Sequence, residues 1–183
     1  MKLNRSIDPE YRIENYGRIE TRNDRINKLL KKNKKSKIEL CCINIGQSEN
    51  IGMLCRNLVY WGGNEFHIIG NNIWPKKTSC NTHNFVNVMN YRNPLEFINW
   101  WKKYSNKKLV SLELTENSIP ITNYEWDEDI ILCVGSESTG VPVEILNNSD
   151  IIKIPVQGHA PCLNLSVAAG IAINQWASKY LYE

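Results

Sequence analysis

Along the chain, the spacing of apolar and polar positions changes repeatedly, and each change marks an element. Residues 38–45 form a continuous β-prone run, the pattern of a strand buried on both faces. Residues 46–50 break it with Gly46, Gln47 and Ser48. Residues 51–60 then take helical spacing through Ile51, Leu54, Leu58 and Val59. Gly62 and Gly63 end that helix, and residues 65–69 read as a second strand. Asn93 is placed to cap a helix with Pro94 at its first position and Leu95, Ile98 and Trp101 on one face. Residues 109–114 predict a short strand, 130–134 a fully apolar one, 141–146 a short helix and 151–154 a further strand. Residues 163–181 predict a long closing helix with small residues at Ala168, Ala169, Gly170 and Ala172. Residues 73–89, with Trp74-Pro75 and several asparagines, read as a long loop. Strand and helix alternate throughout, so the fold class is α/β with a mostly parallel sheet flanked by helices.

Length and charge refine this picture. The 183 residues, 42% of them hydrophobic, suit one domain with a real core. No run of eighteen apolar residues exists, which gives no membrane span, and the charged start gives the expectation of no signal peptide. The reading is a soluble cytoplasmic protein. Its six cysteines contain no C-x-x-C pair and its three histidines are scattered, so the expectation is buried reduced thiols and no metal site. The 24 asparagines and 22 isoleucines are dispersed, a compositional bias rather than a low-complexity tract. Basicity is concentrated at one end. Residues 1–37 carry 12 Lys/Arg against 5 Asp/Glu, a net of +7, whereas residues 38–183 carry 10 against 14, a net of −4. The division is therefore a basic N-terminal arm, 1–37, and an α/β domain, 38–183. The arm is either a solubilising tail or a phosphate-backbone contact.

Several common sites are missing. No G-x-G-x-x-G follows the first strand, no G-x-x-x-x-G-K-[ST] loop occurs, and G-x-S-x-G is absent. Three other segments join glycine breaks to polar side chains at the ends of apolar strands, where open α/β sheets place ligands. The first holds Asn50, Gly52 and Arg56, the second Gly135, Glu137 and Gly140. The third runs from Ile154 and Pro155 through Gly158 and Cys162 to Leu163, Asn164 and Ser166. Taken singly, each has an ordinary structural explanation: Asn50 as a helix cap, Arg56 as a snorkelling cation, Glu137 as a first-turn carboxylate, Asn164 and Ser166 as caps.

In this order and spacing, the three segments resemble the signature motifs of the SpoU-type RNA 2′-O-ribose methyltransferases of the SPOUT superfamily. The resemblance spans residues 38–183. It implies a C-terminal trefoil knot, an exception to the rule against threaded chains. It also implies S-adenosylmethionine as cofactor, RNA as partner and a homodimer packed through the first and last helices. The implied cofactor-binding residues are Leu112, Gly135, Ile154, Gly158, Cys162, Leu163 and Ser166. The implied catalytic set is Arg56 with Asn50, Glu137 and Asn164 orienting it and the ribose. A guanidinium holds its proton at all ordinary pH, so Arg56 is read as stabilising a developing alkoxide rather than as a literal base.

Two positions depart from the family pattern. Cys162 stands where the motif has Ser, and Val156 where it has Met; a thiol donates and accepts hydrogen bonds weakly. Because Arg56, Glu137 and Asn164 are retained, the reading is an active enzyme, with tRNA favoured as substrate. The alternatives are rRNA as substrate, or a catalytically silent SPOUT-fold RNA-binding protein.

Overall fold

The computed structural model describes residues 37–46, 49–160 and 162–181; Pro161 and residues 1–36, which hold nearly all of the basic arm, lie outside them. Seven strands form one sheet: β1 (Ile38–Asn44), β2 (Glu65–Gly70), β3 (Asn87–Tyr91), β4 (Lys108–Leu112), β5 (Ile119–Pro120), β6 (Ile130–Val134) and β7 (Asp150–Lys153). Their order is β3-β2-β1-β6-β4-β7-β5, and every neighbouring pair is parallel. Among the described residues, four α-helices accompany the sheet: α1 (Asn50–Tyr60), α2 (Pro94–Tyr104), α3 (Val143–Leu146) and α4 (Leu165–Tyr180).

The apolar runs explain the layering. All seven residues of β1 and all five of β6 are buried, as a sheet covered on both faces requires. Cys41, Ile43, Ile131 and Cys133 join Phe97 and Ile98 of α2 and Ile145 of α3 in one core. The alternate residues Leu40, Cys42, Leu132 and Val134 point to the other face and are also buried. Helix α1 lies along β1, α4 touches β6, and the two helices pack on each other. Each fully buried Leu or Ile contributes about 2 kcal/mol, so a carboxylate in such a strand must be paired. Glu39 is paired: His67 Nε2 lies 2.9 Å from its Oε2 and Lys107 Nζ 3.3 Å from its Oε1. Burial opposes ionisation of Glu39, but the His67 hydrogen bond and the Lys107 charge outweigh it and hold the carboxyl below its ordinary value.

The chain leaves β1 towards β2 and β3, then crosses through α2 to build the other half of the sheet. Leu112 at the end of β4 lies beside Val134 of β6 and Ile152 of β7. Three strand ends thus open side by side where the strand order changes direction, the crevice that α/β sheets use for ligands.

The sequence pattern and the fold differ in places. Residues 73–89 are not one loop: two 3-10 turns (Lys76–Ser79 and Thr82–Phe85) precede β3, an edge strand of mixed exposure that carries no apolar run. The two-residue strand β5 has no signature of its own, and Pro120 suits an edge. The predicted strand 109–114 stops at Leu112, and the predicted helix 141–146 starts only after Pro142. Helix α4 begins after Asn164, whose side chain accepts from the Ser166 and Val167 N–H groups. Of the cysteines, Cys41, Cys42, Cys55 and Cys133 are buried, but Cys80 and Cys162 are exposed, contrary to the expectation for all six.

Candidate active site

A cavity of about 700 Å³ opens at the ends of β4, β6 and β7, a size that suits a small-molecule ligand. Its walls come from three loops: Leu112–Leu114 after β4, the turn after β6 that begins at Gly135, and the stretch from Lys153 to Leu165 after β7. Leu112, Gly135, Ile154, Gly158, Cys162 and Leu163 all line it, as do Glu137 and Asn164. Ser166 does not. It is only 2% exposed, and its hydroxyl donates to Asn164 Oδ1 at 2.6 Å, so it braces the start of α4.

Glycine has a definite steric task in the turn after β6. Ser136 and Gly140 exchange backbone hydrogen bonds of 3.1 and 3.0 Å, folding the loop back on its origin. A Cβ on Gly135 would lie 2.2 Å from the Gly140 carbonyl carbon, and Gly140 itself has φ +67°. Any side chain at either position would force this loop open. Gly158 is different: a Cβ there meets nothing of the protein. Its glycine therefore answers no intrachain contact.

Across the rim runs a chain of side-chain hydrogen bonds. Asn50 Nδ2 donates to Glu137 Oε1 at 2.7 Å, and Asn164 Nδ2 donates to Asn50 Oδ1 at 3.0 Å. Asn164 Oδ1 in turn accepts from the Ser166 N–H at 3.0 Å. Three segments far apart in sequence are thereby joined: the turn after β6, the start of α1 and the start of α4. The simple capping explanation of Asn50 fails, because Glu49 holds the cap position and Asn50 is the first helical residue. With its own backbone inside the helix, its carboxamide is released to reach Glu137.

Arg56 is placed elsewhere. It follows Asn50 by six residues, which puts it about 9 Å along α1 and roughly 120° around from it. It is exposed, does not line the cavity, and makes no hydrogen bond or ion pair among the described residues. Asn50, Glu137 and Asn164, expected to orient Arg56 and the ribose, bond to one another here, and none of these bonds reaches Arg56. Three residues were not anticipated. Glu113 and Lys153 line the cavity, each directly at the end of an apolar strand, and that position was the available signal. Asn57 donates to the Ser166 carbonyl at 2.7 Å and lies against Gly170, tying α1 to α4. Among the described residues, no group of three His, Cys, Asp or Glu side chains is arranged to hold a metal ion.

The family model described as the SpoU rRNA Methylase family matches residues 37–174. A 23S rRNA (guanosine-2′-O-)-methyltransferase, RlmB, from Acinetobacter baylyi is 32% identical over 90 residues, 49% of this chain and 35% of the relative. A tRNA (guanosine(18)-2′-O)-methyltransferase from Borreliella burgdorferi is 25% identical over 134 residues, 71% of this chain and 61% of the relative. The chain therefore spans between about a third and three fifths of the length of these relatives. The SpoU methyltransferase AviRb from Streptomyces viridochromogenes, in complex with the cofactor AdoMet, superposes with TM-score 0.71 at 17% identity, covering 85% of this chain and 65% of that one. At that identity the likeness establishes the fold.

Proposed function

Because the chain belongs to the SpoU rRNA methylase family, we propose that it transfers a methyl group from S-adenosylmethionine to a ribose 2′-hydroxyl of RNA. The observation that carries this reading is the cavity at the β4, β6 and β7 ends, with the Asn50–Glu137–Asn164 chain on its rim. The cavity fits the cofactor. Its volume suits a molecule of that size, and Gly135, Gly140 and Gly158 among its lining residues bring no side chain into it. Leu112, Gly135, Ile154, Gly158, Cys162 and Leu163 would hold it. We include the C-terminal trefoil knot in this reading; the support is that the cavity-lining stretch after β7 leads directly into α4.

When bound, S-adenosylmethionine supplies an electrophilic methyl group. The residues of this chain do the rest. The three loops fix the direction of approach, since in-line displacement depends on positioning. Asn50, Glu137 and Asn164 keep those loops and both helix starts in one geometry. Arg56, free on the α1 surface, engages an RNA phosphate and stabilises charge developing at the 2′-oxygen, while the hydroxyl proton leaves to phosphate or water.

tRNA is the favoured substrate, because the tRNA-modifying relative aligns over more of this chain than the rRNA-modifying one. The basic arm adds affinity for phosphates. A homodimer is part of the same proposal: Met53, Val167 and Ile171 are 40–48% exposed on the packed α1–α4 pair, and apolar exposure on one such face fits a partner surface. No helix among the described residues is long and apolar enough to cross a membrane, and we place the protein in the cytoplasm with its RNA.

The test is methyl transfer from tritiated S-adenosylmethionine to total RNA, followed by mapping of the labelled nucleotide. Label at a tRNA ribose is expected. Label in rRNA alone would move the substrate, and tRNA binding without transfer would leave a silent RNA-binding protein.

A further inference from the structure

Glu113 joins the three walls of the cavity. Its backbone N–H donates to the Ile152 carbonyl of β7 at 2.9 Å, anchoring the loop after β4 to the neighbouring strand. Its side chain reaches the opposite way. Oε1 accepts from the Leu114 N–H at 2.9 Å, and Oε2 accepts from the Val141 N–H at 2.8 Å, at the far end of the turn after β6. The fit is close: a Cβ on Gly140 would fall 2.4 Å from Oε2. Gly140 therefore does two things, adopting its positive φ and leaving room for this carboxylate.

We propose that Glu113 is a positioning residue of the cofactor pocket, setting the spacing of the loops after β4 and β6 through these two N–H bonds. The inference rests on the methyltransferase reading above and goes beyond it, because Glu113 belongs to none of the three motif segments. The chemistry favours an ionised carboxylate over an amide. Both partners are N–H donors, and a carboxylate offers an acceptor to each at once. Glutamine offers one acceptor, so its NH₂ group must oppose the other N–H. Alanine offers none, so the side-chain link between the two loops is lost and only the pairing of β4 with β6 and β7 still sets where they begin. Because Glu113 and Leu114 of the loop after β4 and Gly135, Glu137 and Gly140 of the turn after β6 all line the cavity, a change in the separation of these loops alters the space a ligand fills.

The experiment uses the full chain as wild type, Glu113→Ala and Glu113→Gln. It measures S-adenosylmethionine affinity by calorimetry, KM for cofactor and for RNA, and kcat at saturating cofactor. Affinity is expected to fall about tenfold in Glu113→Ala and about threefold in Glu113→Gln. KM for cofactor should rise in parallel and kcat fall with the loss of loop spacing, while KM for RNA stays near wild type. A second readout is the rise in melting temperature produced by S-adenosylhomocysteine, which should shrink in both variants. If the variants only melt lower while this ligand-induced rise is undiminished, Glu113 is merely structural and the proposal is overturned. Unchanged cofactor affinity in both variants overturns it as well. Should Glu113→Ala not fold, Glu113→Gln decides by itself. If wild type takes up cofactor and the variants match it, Glu113 alone is removed; if wild type takes up none, the methyltransferase reading falls and this inference with it.

Discussion

Asn164 holds two positions at once, and substitutions there separate them. Its Oδ1 accepts from the Ser166 N–H at 3.0 Å, from the Val167 N–H at 3.3 Å and from the Ser166 hydroxyl at 2.6 Å, which caps α4. Its Nδ2 donates to Asn50 Oδ1 at 3.0 Å, which completes the chain to Glu137. Asn164→Ala removes both. Loss of the cap costs about 1 kcal/mol, and loss of a part-buried hydrogen bond costs about 1 kcal/mol more. Asn164→Asp keeps an acceptor for the helix N–H groups and a negative charge at the positive end of α4, so the cap survives. It cannot donate to Asn50, and that bond alone is lost. Urea denaturation should therefore place Asn164→Ala about 2 kcal/mol below wild type and Asn164→Asp about 1 kcal/mol below. Methyl transfer should fall in both, because both break the link between the two helix starts and the turn after β6. Equal stability losses in the two variants would refute the capping half of the reasoning. Full activity in Asn164→Asp would refute the linking half.

Other consequences are as specific. Arg56→Ala should abolish turnover and leave cofactor affinity unchanged, since Arg56 does not line the cavity; Arg56→Lys should also be poor, because a point charge cannot replace a fork of donors. Gly135→Ala places a methyl group 2.2 Å from backbone and should lower stability by about 2 kcal/mol together with cofactor binding, read by thermal melts with and without S-adenosylhomocysteine. Glu39 has a folded pKa below its unfolded one, so its contribution is present above the ordinary carboxylate range and lost as pH falls through the lowered value. Glu39→Gln should cost about 3 kcal/mol at neutral pH and flatten the acid limb of the stability curve. Deleting residues 1–35 should weaken tRNA binding and reduce the slope of log affinity against log salt; an unchanged slope would assign the phosphate contacts to Arg56, Lys76, Lys77 and Arg92 instead.

The sequence showed most plainly those parts of the fold that burial dictates. Strands β1 and β6 read directly because both faces are covered and their runs are unbroken. Asn93 and Pro94 marked α2 because a cap and a fixed φ are local properties, and the Asn93 side chain does accept from the Glu96 N–H. Edge strands were illegible for the opposite reason. β3 has one buried residue in five, and β5 is a two-residue strand paired with β7. In the site, glycine spacing marked the turn after β6, whereas Glu113 was marked only by its place at the end of an apolar strand, which says nothing of what its side chain meets. Its importance comes from Val141, 28 residues away, and only the register of β4 beside β6 and β7 brings the two together.

Under the proposed function, helix α1 divides the two tasks that methyl transfer requires. At its first residue, Asn50 turns inward to Glu137 and Asn164 and so belongs to the rigid frame of the cavity. Nearly two turns on, Arg56 projects from the exposed side with no partner among the described residues. A group meant to hold the pocket would be fixed by neighbours; one meant to meet a polyanion gains by keeping its donors unsatisfied until that partner arrives. Two turns on from Asn50 and on nearly the same face, Asn57 ties the helix to α4 through the Ser166 carbonyl. Disturbing that tie with Asn57→Ala moves the cavity rim and Arg56 relative to each other without removing either. Cofactor affinity and RNA affinity should then each remain near wild type while turnover falls, the signature of lost alignment rather than lost binding. A parallel loss of both affinities would instead mean that Asn57 merely holds the helices together.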